Sequence, residues 1–131
     1  MFVGASAFCA IRLGEPDDER IMAAIAGAER PVTSAIAIWE TARALVRQQG
    51  IDVSTATQDV DRYLDNAGIA VVPIGRAESR LALDAFDRFG KGRHPAALNT
   101  GDCFTYACAR SLGVPLLYKG DDFLQTDIAA A

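Results

Sequence analysis

Asn99-Thr100-Gly101-Asp102-Cys103-Phe104 opens a helix, Gly101 to Leu112, and Gly113 then leads to a short apolar strand, Pro115 to Tyr118. That strand runs directly into Lys119-Gly120-Asp121-Asp122-Phe123. Upstream lies a glycine-punctuated basic loop, Gly90-Lys91-Gly92-Arg93-His94-Pro95. Strands reached through helices imply a parallel sheet covered on both faces. In such sheets the active site lies beyond the carboxyl ends of the strands, where the strand order reverses. Two carboxylate positions at the ends of elements, near a cationic loop, suit a divalent metal facing a phosphate. Magnesium takes oxygen ligands and accepts a few carboxylates together with substrate phosphate and water. Phosphoester chemistry is therefore the first reading.

The same alternation continues toward the N-terminus. Met1 to Val3 is a short apolar start, followed by a helix from Ser6 to Leu13. A second helix runs from Asp17 to about Ala28, with Ile21, Ala24, Ile25 and Ala28 on one stripe. Pro31 to Thr33 reads as a strand, and Ala35 to Gln49 as a helix stopped by Gly50. Ser54 or Thr55 is expected to cap the next helix, whose Val60, Tyr63, Leu64 and Ala67 share a face. Ile69 to Ile74 is a continuous apolar run, the pattern of a strand buried on both faces. Arg76 to Phe89 is helical, with Ala82, Ala85, Phe86 and Phe89 as its stripe, and Gly90 ends it. On the last helix, Phe104, Ala107, Cys108 and Leu112 form the expected buried stripe, leaving Asp102 to point toward the strand ends.

Bulk properties agree with a small globular protein. The 131 residues are enough for one domain that buries roughly two-thirds of its unfolded surface. Half the residues are hydrophobic, yet no apolar run approaches the ~20 residues of a membrane span. The N-terminus lacks a basic region followed by an apolar stretch, so the cytoplasm is the expected compartment. A net charge of −4 excludes a protein coated in basic residues for nonspecific nucleic-acid binding. Contact with a polyanion has to come from a local basic patch. Cys9, Cys103 and Cys108 match neither a zinc pattern nor a redox pair and read as small buried hydrophobes.

The carboxylates each admit a plain alternative. Asp102 lies in the first turn of its helix, where a negative charge stabilises the helix end by about 0.3–1 kcal/mol. Glu40 has small neighbours one turn either side, Ala37 and Ala44, and Arg43 three residues on as a surface partner. Asp121 and Asp122 follow a glycine, and Gly-Asp pairs are ordinary turn material. His94 has no nucleophile beside it in sequence, and the loop around it reads equally as a solvated surface loop.

Together these motifs resemble the PIN-domain ribonuclease toxins of the VapC type. Besides the C-terminal motifs, Met1-Phe2-Val3, Ala5-Ser6-Ala7, Gly14-Glu15-Pro16-Asp17 and Trp39-Glu40-Thr41-Ala42 agree in order, so the resemblance spans essentially the whole chain. It implies an α/β fold, a three-layer α/β/α PIN-like domain over residues 1–131 with a central parallel sheet flanked by helices. The implied activity is metal-dependent endoribonuclease cleavage of RNA phosphodiester bonds by the toxin of a type II toxin–antitoxin system. Glu40, Asp102 and Asp122 then become the metal-holding acids, for magnesium or alternatively manganese, with Ser6 and Asp121 as second-tier residues. Lys91, Arg93 and His94 become contacts for the RNA backbone, and Lys119 a further phosphate contact. The implied partners are an RNA substrate and a VapB-type antitoxin, within a toxin homodimer and a toxin–antitoxin hetero-oligomer, and no membrane.

One position departs from the family pattern. Where the family carries an aspartate at the end of the first strand, this chain has Gly4. Four converging acids become three, and Gly4 brings backbone freedom without a replacement oxygen. Two classes of function follow: an attenuated endoribonuclease toxin, or a catalytically silent PIN-domain protein that binds RNA or an antitoxin. A receiver domain is excluded, because it needs an acidic pair after the first strand and finds Gly4-Ala5-Ser6 instead.

Overall fold

Phe2 and Val3 form β1 (Phe2–Val3), and successive strand side chains point to opposite faces of a sheet. Phe2 joins a core with Phe89, Leu98, Tyr106 and Phe123 on one face, while Val3 joins Phe8, Ile21, Leu45 and Val60 on the other. Leu116 and Leu117, which are β4 (Leu116–Leu117), divide between the same two clusters. Two apolar cores back to back across one sheet make the architecture α/β/α, as the alternation of strands and helices implied.

The computed structural model describes residues 1–131. Between β1 and β4 lie α1 (Ala5–Leu13), α2 (Asp18–Ala26), β2 (Val32–Ser34), α3 (Ala35–Gln49), α4 (Val53–Ala67), β3 (Ala70–Val72), α5 (Arg76–Phe89) and α6 (Thr100–Leu112). All strand pairings are parallel, in the order β3-β2-β1-β4, with Val32 opposite both Phe2 and Ala70, and Phe2 opposite Leu116. The order therefore reverses between β1 and β4. Their carboxyl ends, at Gly4 and Lys119, border the crevice where parallel sheets bind ligands. No helix is long and apolar enough to cross a membrane.

Several local expectations need correction. Asp52, not Ser54 or Thr55, caps α4, its carboxylate accepting from the Thr55 amide at 2.9 Å. The apolar run at Ile69–Ile74 is not a strand buried on both faces: β3 is an edge strand and Val71 is 52% exposed. Only β2 pairs with it, so one side of the run stays open. Phe86 and Leu112 also leave their expected stripes, being 44% and 45% exposed. α6 packs against both α5 and α3, so its buried surface shifts to Cys103, Thr105, Tyr106, Ala107, Cys108 and Ala109. Gly90 ends α5 without a left-handed turn; any Cβ there would strike the Phe86 carbonyl and ring. Gly50 does close α3 in the left-handed region, at φ 67°.

The cysteines are all free, with Cys103 and Cys108 buried and Cys9 partly so. Burial pushes the Cys108 thiol up to about 11, so it stays protonated and acts as a small apolar group. The C-terminal segment is tied back by Asp127, which accepts from the Tyr106 hydroxyl at 2.6 Å and from Arg88 at 2.8 Å. That tie brings Ala129 onto the Leu116 amide at 2.8 Å and covers the free edge of β4.

Candidate active site

The N-terminal end of α6 is the centre of the site. Asn99 caps it by accepting from the Asp102 amide at 3.0 Å, and Asp102 Oδ2 accepts from the Asn99 amide at 2.9 Å. This reciprocal box realises the plain reading of Asp102 as a helix-end residue. It also orients the carboxylate, with one oxygen held by backbone and Oδ1 left without a protein partner.

Glu40 reaches the same place from α3. A Cβ built on Gly101 would overlap both carboxylate oxygens of Glu40, so the glutamate sits where Gly101 leaves space. Glu40 feels the charge of Asp102. Burial and then the Asp102 charge push the Glu40 carboxyl above its usual range, with Arg43 pulling it partly back. Burial likewise raises Asp102, the Asn99 amide opposes the shift, and the charge of Asp122 adds to it.

Asp122 is exposed, so it borders this pair from the solvent side, while Asp121 acts on Tyr118 instead. No three ligating side chains converge at the spacing of a ready-made metal site. The structure thus brings Glu40 and Asp102 together and leaves Asp122 at the rim.

Ser6 does not cap α1, whose N-cap is Gly4. Its hydroxyl accepts from the Lys119 amide at 3.0 Å and pins the segment that leads to Asp121 and Asp122. The Lys119 ammonium is ion-paired with Glu15, so a phosphate contact there would compete with that carboxylate. Arg93 pairs with Asp87 at 3.1 Å and covers the Phe86 ring. His94 accepts from the Ala96 amide through Nδ1 at 3.1 Å and packs edge-on against Phe89, a loop-shaping role. Lys91 alone in that loop is exposed with no ion-pair partner.

Residues 1–129 match the family model described as the PIN domain. The chain is 38% identical over 130 residues to "Ribonuclease VapC" of Mycolicibacterium smegmatis, covering 99% of this chain and 98% of that protein. It is 37% identical over 129 residues to "Ribonuclease VapC30" of Mycobacterium tuberculosis, covering 98% and 96%.

The chain belongs to the PIN-domain family, in its VapC group. The crystal structure of Mycobacterium tuberculosis VapC20, described as a sarcin-ricin loop cleaving toxin, superimposes with a TM-score of 0.78. That match covers 99% of this PIN domain and 97% of the other chain at 18% identity, which establishes the shared fold.

The donor set of this PIN domain fits a hard divalent cation in kind. All three acids offer oxygen, and two of them have raised proton affinities, from burial first and from a neighbouring carboxylate besides. Magnesium is commonly held by one or two carboxylates with water and substrate completing its shell. Glu40 and Asp102 are the pair that would hold it, with Asp122 at the edge.

Sequence reasoning missed the role of Gly101. Glycine costs up to about 1 kcal/mol relative to alanine inside a helix, so its presence beside Asp102 was the available signal. Gly101→Ala is expected to leave the melting temperature unchanged or slightly higher while displacing the Glu40 carboxylate. Manganese titration should then show weaker binding than in the parent chain. Undiminished manganese affinity would mean that Glu40 has another seat or no part in the ion site.

Proposed function

We propose that this PIN domain is the toxin of a type II toxin–antitoxin pair, a metal-dependent endoribonuclease attenuated by Gly4. The observation that carries this reading is the Glu40 carboxylate lodged against Gly101, beside Asp102. Its relatives named as ribonucleases, aligned over nearly their full lengths, support it. Glu40, Asp102 and Asp122 form the acidic site, with Ser6 holding the loop that carries Asp122. A divalent ion there, magnesium or manganese, would supply charge neutralisation at the scissile phosphate and acidify the attacking water. Asp102 keeps one oxygen directed by the Asn99 amide, and Glu40 is kept in reach by the missing side chain of Gly101. Both carboxylates would hold the ion and accept hydrogen bonds from water near the reacting phosphate.

In this reading residues 1–131 act as one unit in the cytoplasm, as a homodimer and in complex with a VapB-type antitoxin. Purified chain with magnesium should cleave RNA slowly, and a chelator should stop it. No cleavage with magnesium or manganese, over several RNAs, would favour the second reading. That reading is a silent PIN-domain binder of RNA or antitoxin, and the absence of a carboxylate at Gly4 is what favours it.

The 90–98 loop is the proposed contact for the RNA backbone. Lys91 should dominate, because Arg93 already has Asp87 as a partner. Neutralising both should weaken RNA affinity and reduce the salt slope by about 0.7 for each single-strand phosphate that is no longer neutralised. Affinity and slope that stay unchanged across a salt titration would remove the loop from the interface.

A further inference from the structure

Trp39 is the only tryptophan of the chain and is 62% exposed, although a large indole in water is an unusual place for so much apolar surface. It directly precedes Glu40 on α3. Arg43 lies one turn further along, its guanidinium 5.1 Å from the centre of the indole ring. The same guanidinium is close enough to Glu40 to lower its proton affinity. Arg43 has no carboxylate partner within ion-pair distance, unlike Arg12, Arg88 and Arg93. Trp39, Arg43 and Glu40 are thus contiguous, and the first two line an open groove of about 400 Å³ between α3 and the start of α4.

We propose that Trp39 and Arg43 form a landing site for an unpaired nucleotide of the RNA strand beside the acidic site, the indole stacking on the base and the guanidinium meeting a phosphate. The inference rests on the RNA-cleaving reading above and adds where the strand lies. Its chemistry is that of single-strand binders, which combine aromatic platforms with cationic contacts to the backbone. A chain of net charge −4 needs such local cations near its acids, because Glu40 and Asp102 repel an incoming phosphate. Arg43 supplies one at the rim of the site. Single-stranded RNA fits both residues at once, since an unpaired base offers its face to the indole and the adjoining phosphate offers its charge to the guanidinium.

The lone tryptophan makes the test direct. A short single-stranded RNA of mixed sequence, added with a chelator to prevent cleavage, should quench the Trp39 emission. The same sequence as a duplex, whose bases are already stacked on each other, should not. Fluorescence anisotropy of labelled RNA reads binding independently of the tryptophan. Trp39→Ala should weaken binding about tenfold, Trp39→Phe should retain most of it, and Arg43→Ala should weaken it and flatten its salt dependence. RNA that binds by anisotropy with unchanged emission and no loss in Trp39→Ala would overturn the proposal while leaving RNA binding intact. Equal quenching by single strand and duplex would also overturn it. Emission that shifts with protein concentration alone and ignores RNA would assign the surface to a second copy instead. No RNA binding by any version, Gly4→Asp included, would overturn the RNA-cleaving reading itself.

Discussion

Gly4→Asp is expected to raise RNA cleavage by about a hundredfold or more, the equivalent of about 2.7 kcal/mol of transition-state stabilisation. The backbone permits the change. Gly4 has φ −83° and ψ 163°, an extended conformation open to any residue. A Cβ there would meet Thr105 Cγ2 at 3.3 Å and the Leu117 carbonyl at 3.5 Å, so the threonine methyl has to yield by a few tenths of an ångström. A fourth carboxylate at the end of β1 would add an inner oxygen and more negative charge to concentrate the cation. The effect should fall on turnover more than on RNA affinity, because metal positioning acts on the reacting atoms.

Gly4 is also the N-cap of α1 and makes no side-chain cap, so an aspartate there would add only about a few tenths of a kcal/mol of stability through capping, because glycine is itself a tolerated cap. Gly4→Asn separates the two effects, since it supplies the cap without the charge. Without metal, stability should rise slightly in Gly4→Asn and not in Gly4→Asp, where repulsion from the neighbouring carboxylates offsets the cap, and cleavage should rise only in Gly4→Asp. Equal cleavage by the parent, Gly4→Asn and Gly4→Asp would show that glycine is tolerated at this position.

Asp102→Asn, made in the Gly4→Asp chain, is expected to abolish cleavage to background without weakening the fold. Asparagine keeps an oxygen for the Asn99 amide, now at 2.9 Å from Asp102 Oδ2, so the capping box survives. The charge does not. Burial and Asp122 raise the folded-state pKa of Asp102 above its ordinary carboxylate value. Its ionisation is therefore easier in the unfolded chain. The stability tied to its protonated form is complete below the ordinary carboxylate range and is lost as pH rises through the raised value. At neutral pH, removing this charge relieves repulsion, so the metal-free melting temperature should hold or increase. Magnesium should raise the melting temperature of the Gly4→Asp chain by mass action and leave Asp102→Asn nearly unmoved. Cleavage retained within a few-fold would take Asp102 out of the chemistry and leave it as a helix cap.

Local codes were legible from residues alone. Gly50 marks the end of α3, and the apolar alternation of helices and strands yields the parallel sheet. The Asn99–Asp102 spacing places a carboxylate in the first turn of α6, because the capping box spans only one turn of backbone. Each of these depends on neighbours within a few residues.

What lay beyond that range was decided by packing. Val71 has the composition of a buried strand residue, but its exposure follows from β3 having a neighbour on one side only. Lys119 reads as an unpaired cation in the sequence, and the fold pairs it with Glu15, brought across from the end of α1. Ser6 proves to be a clasp for the Lys119 amide. Glu40 and Asp102 become a pair because α3 crosses the start of α6 at a glycine. Helix periods and caps are set by interactions along one stretch of chain, so the sequence determines them by itself. The meeting of two carboxylates, and the repulsion that makes a cation welcome between them, exists only once distant elements share one low-dielectric crevice.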